Sequence, residues 1–187
     1  SVHGFSDADW YLLLDRIAEL APRGVELNLS CPNVGAIEWP VDLFERAVAT
    51  GVPVVAKLPP VQYELLFEQA LAAGIRTFHC CNTLPVPAGG ISGSPLKPVA
   101  LACIRRLQEL APAGVAGELR ILGGGGIKRP QDVDDYATAP GVVAVAVGTK
   151  VMNPAYLFSS SGLVGIRARA EELLAGRARW LEGAPAA

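Results

Sequence analysis

Apolar residues along this chain recur at helical spacing in one stretch and alternate or run together in the next, and the exchange repeats to the end. Trp10, Leu13, Leu14, Ile17 and Leu20 predict a helix that Ser6 caps and Pro22 and Gly24 stop. Val25, Leu27 and Leu29 then alternate with more polar residues, as in a strand. Val41, Phe44 and Val48 predict a helix over 40–50, the run Val54–Leu58 a strand, and Leu66, Phe67, Ala70 and Leu71 a helix over 63–73. Further strands are expected at Thr77–Asn82, Leu119–Gly123 and Val142–Gly148, separated by helices at Leu101–Leu110 and Gln131–Ala137. Pro85–Pro98 and Pro112–Gly117 read as loops. Ser1–Gly4 reads as the end of a strand, and Leu163–Leu181 as a closing amphipathic helix whose Arg167, Arg169, Arg177 and Arg179 form a solvated face. About six strands alternating with helices predict a parallel α/β sheet in one domain spanning residues 1–187.

Chemistry concentrates at the C-terminal tips of these strands, where parallel α/β folds place their sites. The first strand delivers Asn28, Ser30, Cys31 and Asn33, and Pro32 forbids a continuing ladder. Two carboxamides can read an amide edge and a thiol can pass a proton; taken singly, the same octet also suits a tight turn with a small buried cysteine. A second strand ends in Lys57, whose ammonium must reach water or an anion. A third repeats the first by delivering Asn82 and Thr83, with His79 read as a packed strand residue. Gly93 follows Ser92 in a loop of small residues, Gly123–Gly126 follow the next strand, and Gly148-Thr149 follow the last. Four successive glycines are a costly way to build a turn, which favours a ligand pressed against the backbone. Glycine tips after the last two strands suit a phosphate held by the backbone N–H groups of Gly124, Gly125, Gly148 and Thr149.

Composition narrows the classes. Sixteen basic and eighteen acidic residues give a formal charge of −2 with no block of like charge, so an electrostatic footprint for nucleic acid is absent. No apolar run approaches the ~20 residues that span a bilayer, and no membrane partner is expected. The cysteines at 31, 80, 81 and 103 lack paired metal spacing and read as reduced cytoplasmic thiols; no metal site is expected. The chain opens Ser1-Val2-His3 rather than with Met, which suits a processed start or a start inside a longer gene product.

Asn28-Leu29-Ser30-Cys31-Pro32-Asn33 closely resembles the active-site strand and loop of dihydroorotate dehydrogenases of the cytosolic, cysteine-containing class. Lys57-Leu58-Pro59-Pro60 and Gly89-Gly90-Ile91-Ser92-Gly93, followed by Leu96-Lys97-Pro98-Val99-Ala100-Leu101, extend the likeness over nearly the entire chain. The resemblance implies a TIM (β/α)8 barrel of the FMN-dependent type, with FMN as cofactor and dihydroorotate and orotate as small-molecule substrate and product. It implies that Cys31 takes a proton from C5 of dihydroorotate, that Asn28, Asn33, Asn82 and Thr83 hold the pyrimidine, and that Lys57 contacts the flavin ring. Ser92 and Gly93 fall in the family's flavin-proximal loop. The six strands correspond to the third to eighth of the barrel, so its first two βα units are missing, and upstream residues, a homo-oligomer or another chain is expected to complete the barrel. The segments after Asn33 and between Leu84 and Gly89 are shorter than the family's. These departures keep two alternatives in view: another FMN-dependent barrel reductase acting on a pyrimidine or cyclic enone, and a noncatalytic barrel fragment acting as a subunit.

Overall fold

The computed structural model describes residues 1–29, 39–87, 89–152 and 161–177. Helix α1 (Asp7–Leu20) starts where sequence chemistry places it, with the Ser6 hydroxyl accepting from the Asp9 N–H at 3.2 Å and two aspartates in the first turn. It buries Trp10, Leu14 and Ile17, and leaves Leu20 exposed. Strand β1 (Val25–Asn28) follows, then α2 (Leu43–Ala49), β2 (Val54–Lys57), α3 (Glu64–Ala72) and β3 (Thr77–Cys80). Beyond them come β4 (Leu84–Val86), β5 (Gly89–Ile91), a 3-10 turn at Ser94–Leu96, α4 (Lys97–Leu110), α5 (Ala113–Ala116), β6 (Arg120–Gly124), α6 (Asp132–Ala137), β7 (Val142–Ala146), α7 (Thr149–Met152) and α8 (Ser161–Leu174).

Strands β1, β2, β3, β6 and β7 form one parallel sheet in that order. Strand order therefore follows chain order. A doubly wound sheet would reverse direction at a switch point, whereas winding in a single direction is how a barrel is built. Val25, Leu27 and Leu29 are buried against the helical layer along with Trp10, Phe44 and Phe67. The intervening Glu26 and Asn28 take the opposite face, as a period of two requires.

Several expectations from the chain change. Ser1–Gly4 is no strand: it contributes a single parallel bridge, Val2 to Leu27, in which Val2 N–H donates to Glu26 O and Asn28 N–H donates to Val2 O. The chain turns at once, because Gly4 lies against the Trp10 ring so closely that a Cβ would stand 2.7 Å from Trp10 Cγ. In the second helix Val41 is fully exposed and the buried stripe is Leu43, Phe44 and Ala47. The supposed loop beginning at Pro85 contains the antiparallel hairpin β4–β5, with Leu84 opposite Ile91; Pro85 and Pro87 obscure it in the sequence, since proline is a poor strand residue. Helix α4 starts at Lys97, and the Pro112–Gly117 linker holds the short α5. The arginines of α8 are not all solvated. Arg169 pairs with Asp134 of α6 at 2.7 Å, and Arg177 donates to the Ala137 and Val142 carbonyls, tying the C-terminal segment to α6 and β7; Arg179 lies outside the described residues.

Gly123 shows how tightly β6 is packed. A Cβ there would stand 2.4 Å from Cδ1 of the fully buried Tyr136, whose hydroxyl donates to Gly125 O at 2.6 Å. Substitution Gly123→Ala is expected to destabilise the fold by about 2 kcal/mol through overpacking, and Gly114→Ala, where a Cβ meets nothing within 4 Å, is not. Urea denaturation of the two variants checks the contrast; equal midpoints would contradict it.

Candidate functional site

Parallel registration brings the strand tips to one level: Asn28 lies beside Lys57, Lys57 beside His79, Cys80 beside Gly123, and Gly124 beside Ala146. Above that level opens a cavity of about 530 Å³ whose lining includes Lys57, His79, Asn82, Gly124, Gly148 and Lys150. Thr83, Ser92, Gly93, Gly125 and Thr149 also line it. Of the residues singled out in the sequence, these tips therefore share one space. Asn28 joins them indirectly, its Oδ1 accepting from Asn82 Nδ2 at 2.9 Å, while the Asn82 Oδ1 accepts from the Thr83 N–H at 2.9 Å. The hydroxyls of Thr149 and Ser92 meet at 3.1 Å and link the loop after β5 to the tip after β7. Cys31 and Asn33 lie outside the described residues.

The glycine run has reasons within the chain as well as toward the cavity. Gly123 makes room for Tyr136, and at Gly124 a Cβ would stand 2.6 Å from His79 Nε2. Gly125 and Gly126 have φ of 123° and 72°, a region that side-chain-bearing residues rarely adopt. The close approach expected of a ligand is thus made first by the protein's own side chains. Gly148 differs, since a Cβ there meets nothing within 4 Å.

Beneath the cavity lies an ionic group that the strand pattern did not single out. Glu26 Oε2 is 2.6 Å from His79 Nδ1, Glu26 Oε1 is 3.9 Å from Lys57 Nζ, and the Ser1 hydroxyl donates to Glu26 Oε1 at 2.7 Å. Burial pushes the Glu26 carboxyl up, but the hydrogen bond and charge of His79, the Ser1 hydroxyl and the Lys57 ammonium outweigh it and hold the group at about 2. The signal was a charged residue at the same strand parity as Asn28, two positions before it. Lys128 and Lys150 also line the cavity, each just beyond a glycine tip, and Lys150 Nζ donates to Lys128 O at 2.6 Å. Asp132 shapes that turn by accepting from the Lys128 and Arg129 N–H groups and from Lys97.

The described cysteines differ in their surroundings. Cys80 is fully buried with its Sγ 3.7 Å from that of Cys103, while Cys81 lines the cavity and burial pushes its thiol up to about 12. All three are free thiols. Among the described residues, no cluster of His, Cys, Asp or Glu is gathered as a metal would require, and no helix is long and apolar enough to cross a membrane.

The cavity has the size and the donors to take an anionic ligand. Its volume lies within the ~300–1,000 Å³ of cofactor pockets; one wall is bare glycine backbone, the space beside Gly148 is open, and lysines and hydroxyls supply donors for anionic oxygens.

Residues 1–160 match the family model described as dihydroorotate dehydrogenase. A Listeria monocytogenes protein named dihydroorotate dehydrogenase B (NAD(+)), catalytic subunit, is 35% identical over 175 aligned positions, covering 80% of this chain and 55% of the relative. Its namesake from Enterococcus faecalis is 32% identical over 200 positions, covering 92% and 61%. The chain thus spans little more than half the length of these curated relatives. The crystal structure of ligand-free DHODH from Eimeria tenella superposes with a TM-score of 0.64 at 19% identity, covering 90% of this chain and 55% of that one, a likeness of fold. The sheet is accordingly part of a TIM barrel.

The Glu26 carboxylate makes stability depend on pH. Its native value of about 2 lies below the ordinary 4.5, so its contribution is fully present above about pH 5 and is lost as pH falls through 2. That contribution is about 3 kcal/mol. Wild type and Glu26→Gln, compared by urea denaturation from pH 7 to pH 2, should converge in stability as the pH falls. A constant difference would contradict the assignment.

Proposed function

This chain belongs to the dihydroorotate dehydrogenase family, and from that premise we propose that it forms the FMN-binding part of an enzyme that oxidises dihydroorotate to orotate in pyrimidine biosynthesis. One observation carries the reading: Lys57, Asn82, Thr83 and both glycine tips line a single cavity, on the face where a parallel α/β fold places its chemistry. FMN, when bound, supplies the acceptor for the hydride that leaves the substrate.

The chain's own residues do the rest. The N–H groups of Gly124, Gly125, Gly148 and Thr149, with Ser92 and Gly93, hold the phosphate, and the Lys128 and Lys150 ammoniums add charge at the same rim. Lys57 places a positive charge where negative charge accumulates. Asn82, steadied by Asn28, presents its carboxamide together with the Thr83 hydroxyl to the pyrimidine, and Asn33 completes that set. Cys31 removes the proton from C5 of the substrate. The relatives' name supports a catalytic subunit that works with NAD(+) as the eventual oxidant.

The reading is tested by the absorbance spectrum of the purified chain with FMN, followed by anaerobic dihydroorotate. Bound flavin that bleaches is the expected result; retained flavin that dihydroorotate leaves oxidised, but whose dithionite-reduced form a cyclic enone re-oxidises, would redirect the substrate, and no uptake would overturn the reading. Gly148→Ala, which adds a methyl group to open space, should leave the unfolding midpoint in place while weakening FMN binding roughly tenfold, about 1.4 kcal/mol. A free thiol ionises near pH ~8.5, so turnover should rise with pH toward that value. Cys31→Ser retaining full turnover and the same pH profile would remove Cys31 from the proton step.

A further inference from the structure

His79 has no part in the roles just assigned, yet its ring lines the cavity and is 9% exposed. Its Nδ1 lies 2.6 Å from the Glu26 carboxylate. An ionised carboxylate only accepts, so Nδ1 keeps its proton and donates, and Nε2 is the nitrogen that can gain or lose one. Nε2 faces Gly124, a wall of the same cavity, where a Cβ would stand 2.6 Å away.

The groups facing His79 define its setting. Glu26 comes from β1, Lys57 from β2, and Cys81 from just beyond β3; β6 and β7 present Gly124 and Ala146, which do not titrate. Lys128 and Lys150 lie in the lining beyond β6 and β7. Glu26 is ionised well below neutral pH and the buried Cys81 thiol stays neutral. The Glu26–His79 pair thus supplies a fixed negative charge and an adjacent imidazole that can take up a positive one.

Resting on the FMN reading above, we propose that His79, anchored by Glu26, is a proton store for this cavity, taking a proton at Nε2 as the bound flavin gains electrons and releasing it as they leave. The balance is simple. A hydride from the dihydropyrimidine brings two electrons and one proton and leaves one negative charge in the cavity; one proton from solvent forms the N–H bond at Nε2 and compensates that charge. No other bond at His79 forms or breaks. Opposite charges in a partly buried space stabilise each other, so reduction favours protonation and, by linkage, protonation favours reduction. His79 is in this sense a positioning residue for charge, and Glu26 is what holds it in the required tautomer.

The test is the midpoint potential of the FMN-loaded chain, titrated with dithionite from pH 5 to pH 9. If His79 takes up its proton as the flavin is reduced, wild type should be steeper than His79→Asn by one proton per two electrons, a tenfold change in the equilibrium constant or about 30 mV per pH unit. Glu26→Gln should weaken that extra slope, because the imidazolium loses its counter-charge. A second readout is the 15N resonance of His79 Nε2, which should pass to its protonated position on reduction at fixed pH. This holds the test open if His79→Asn does not fold. Parallel potential curves in wild type and the folded variants, or an Nε2 resonance unmoved by reduction, would overturn the proposal with FMN binding intact. Failure of the wild-type chain to take up FMN would overturn the cofactor reading, and this inference with it.

Discussion

A carboxylate partly buried on the inner face of a parallel sheet is tolerated only when opposite charge and hydrogen bonds reach it, and Glu26 receives both from neighbouring strands. His79 and Lys57 can reach it only in the observed register, with Lys57 beside His79 and Asn28 beside Lys57. A slip of one residue in β1 would turn Glu26 and Asn28 to the helical layer and Leu27 to the opposite face. The ionic group therefore ties register to polarity. That register also sets the Asn28 and Asn82 carboxamides at hydrogen-bonding distance.

The far side of the site is built by the opposite means, through removal of side chains. Gly123 and Gly124 let β6 pass between Tyr136 and His79, and Gly125 and Gly126 carry the chain through backbone angles closed to most residues. The consequence is a cavity wall of backbone facing cationic and hydroxyl side chains. Such a wall binds by N–H groups in fixed directions, which costs little ordering when an anionic ligand arrives. The Tyr136 hydroxyl on Gly125 O and the Asp132 carboxylate on the next turn hold that backbone from behind.

The chain spans about half the length of its curated relatives, and its described residues already gather the strand tips around one cavity. Five strands suffice to assemble the cavity, because its lining comes from the tips of β2, β3, β6 and β7 and the loop after β5. On the β1 side, the Val2 bridge takes up the Glu26 carbonyl and the Asn28 N–H that an edge would leave open. Proline and arginine placement, not hydrophobic pattern, accounts for the elements that were hard to read: the β4–β5 hairpin and the docking of α8.

The sequence by itself determined how the five strands of the main sheet alternate with helices, the capped start of α1, and which polar and glycine residues lie at the strand tips, because local periodicity, capping and strand-breaking residues act within a few positions of one another. Asn82, Thr83, Lys57 and the glycine tips were legible for that reason, and a family's motifs could be recognised in them. Tertiary structure decided what those tips meet. Glu26 looked like an ordinary polar strand position and His79 like packing, and only pairing of β1, β2 and β3 brings residues 53 positions apart to 2.6 Å. The glycine run likewise took its meaning from Tyr136 and His79, whose contacts with it depend on how distant segments pack and leave no periodic trace along the chain.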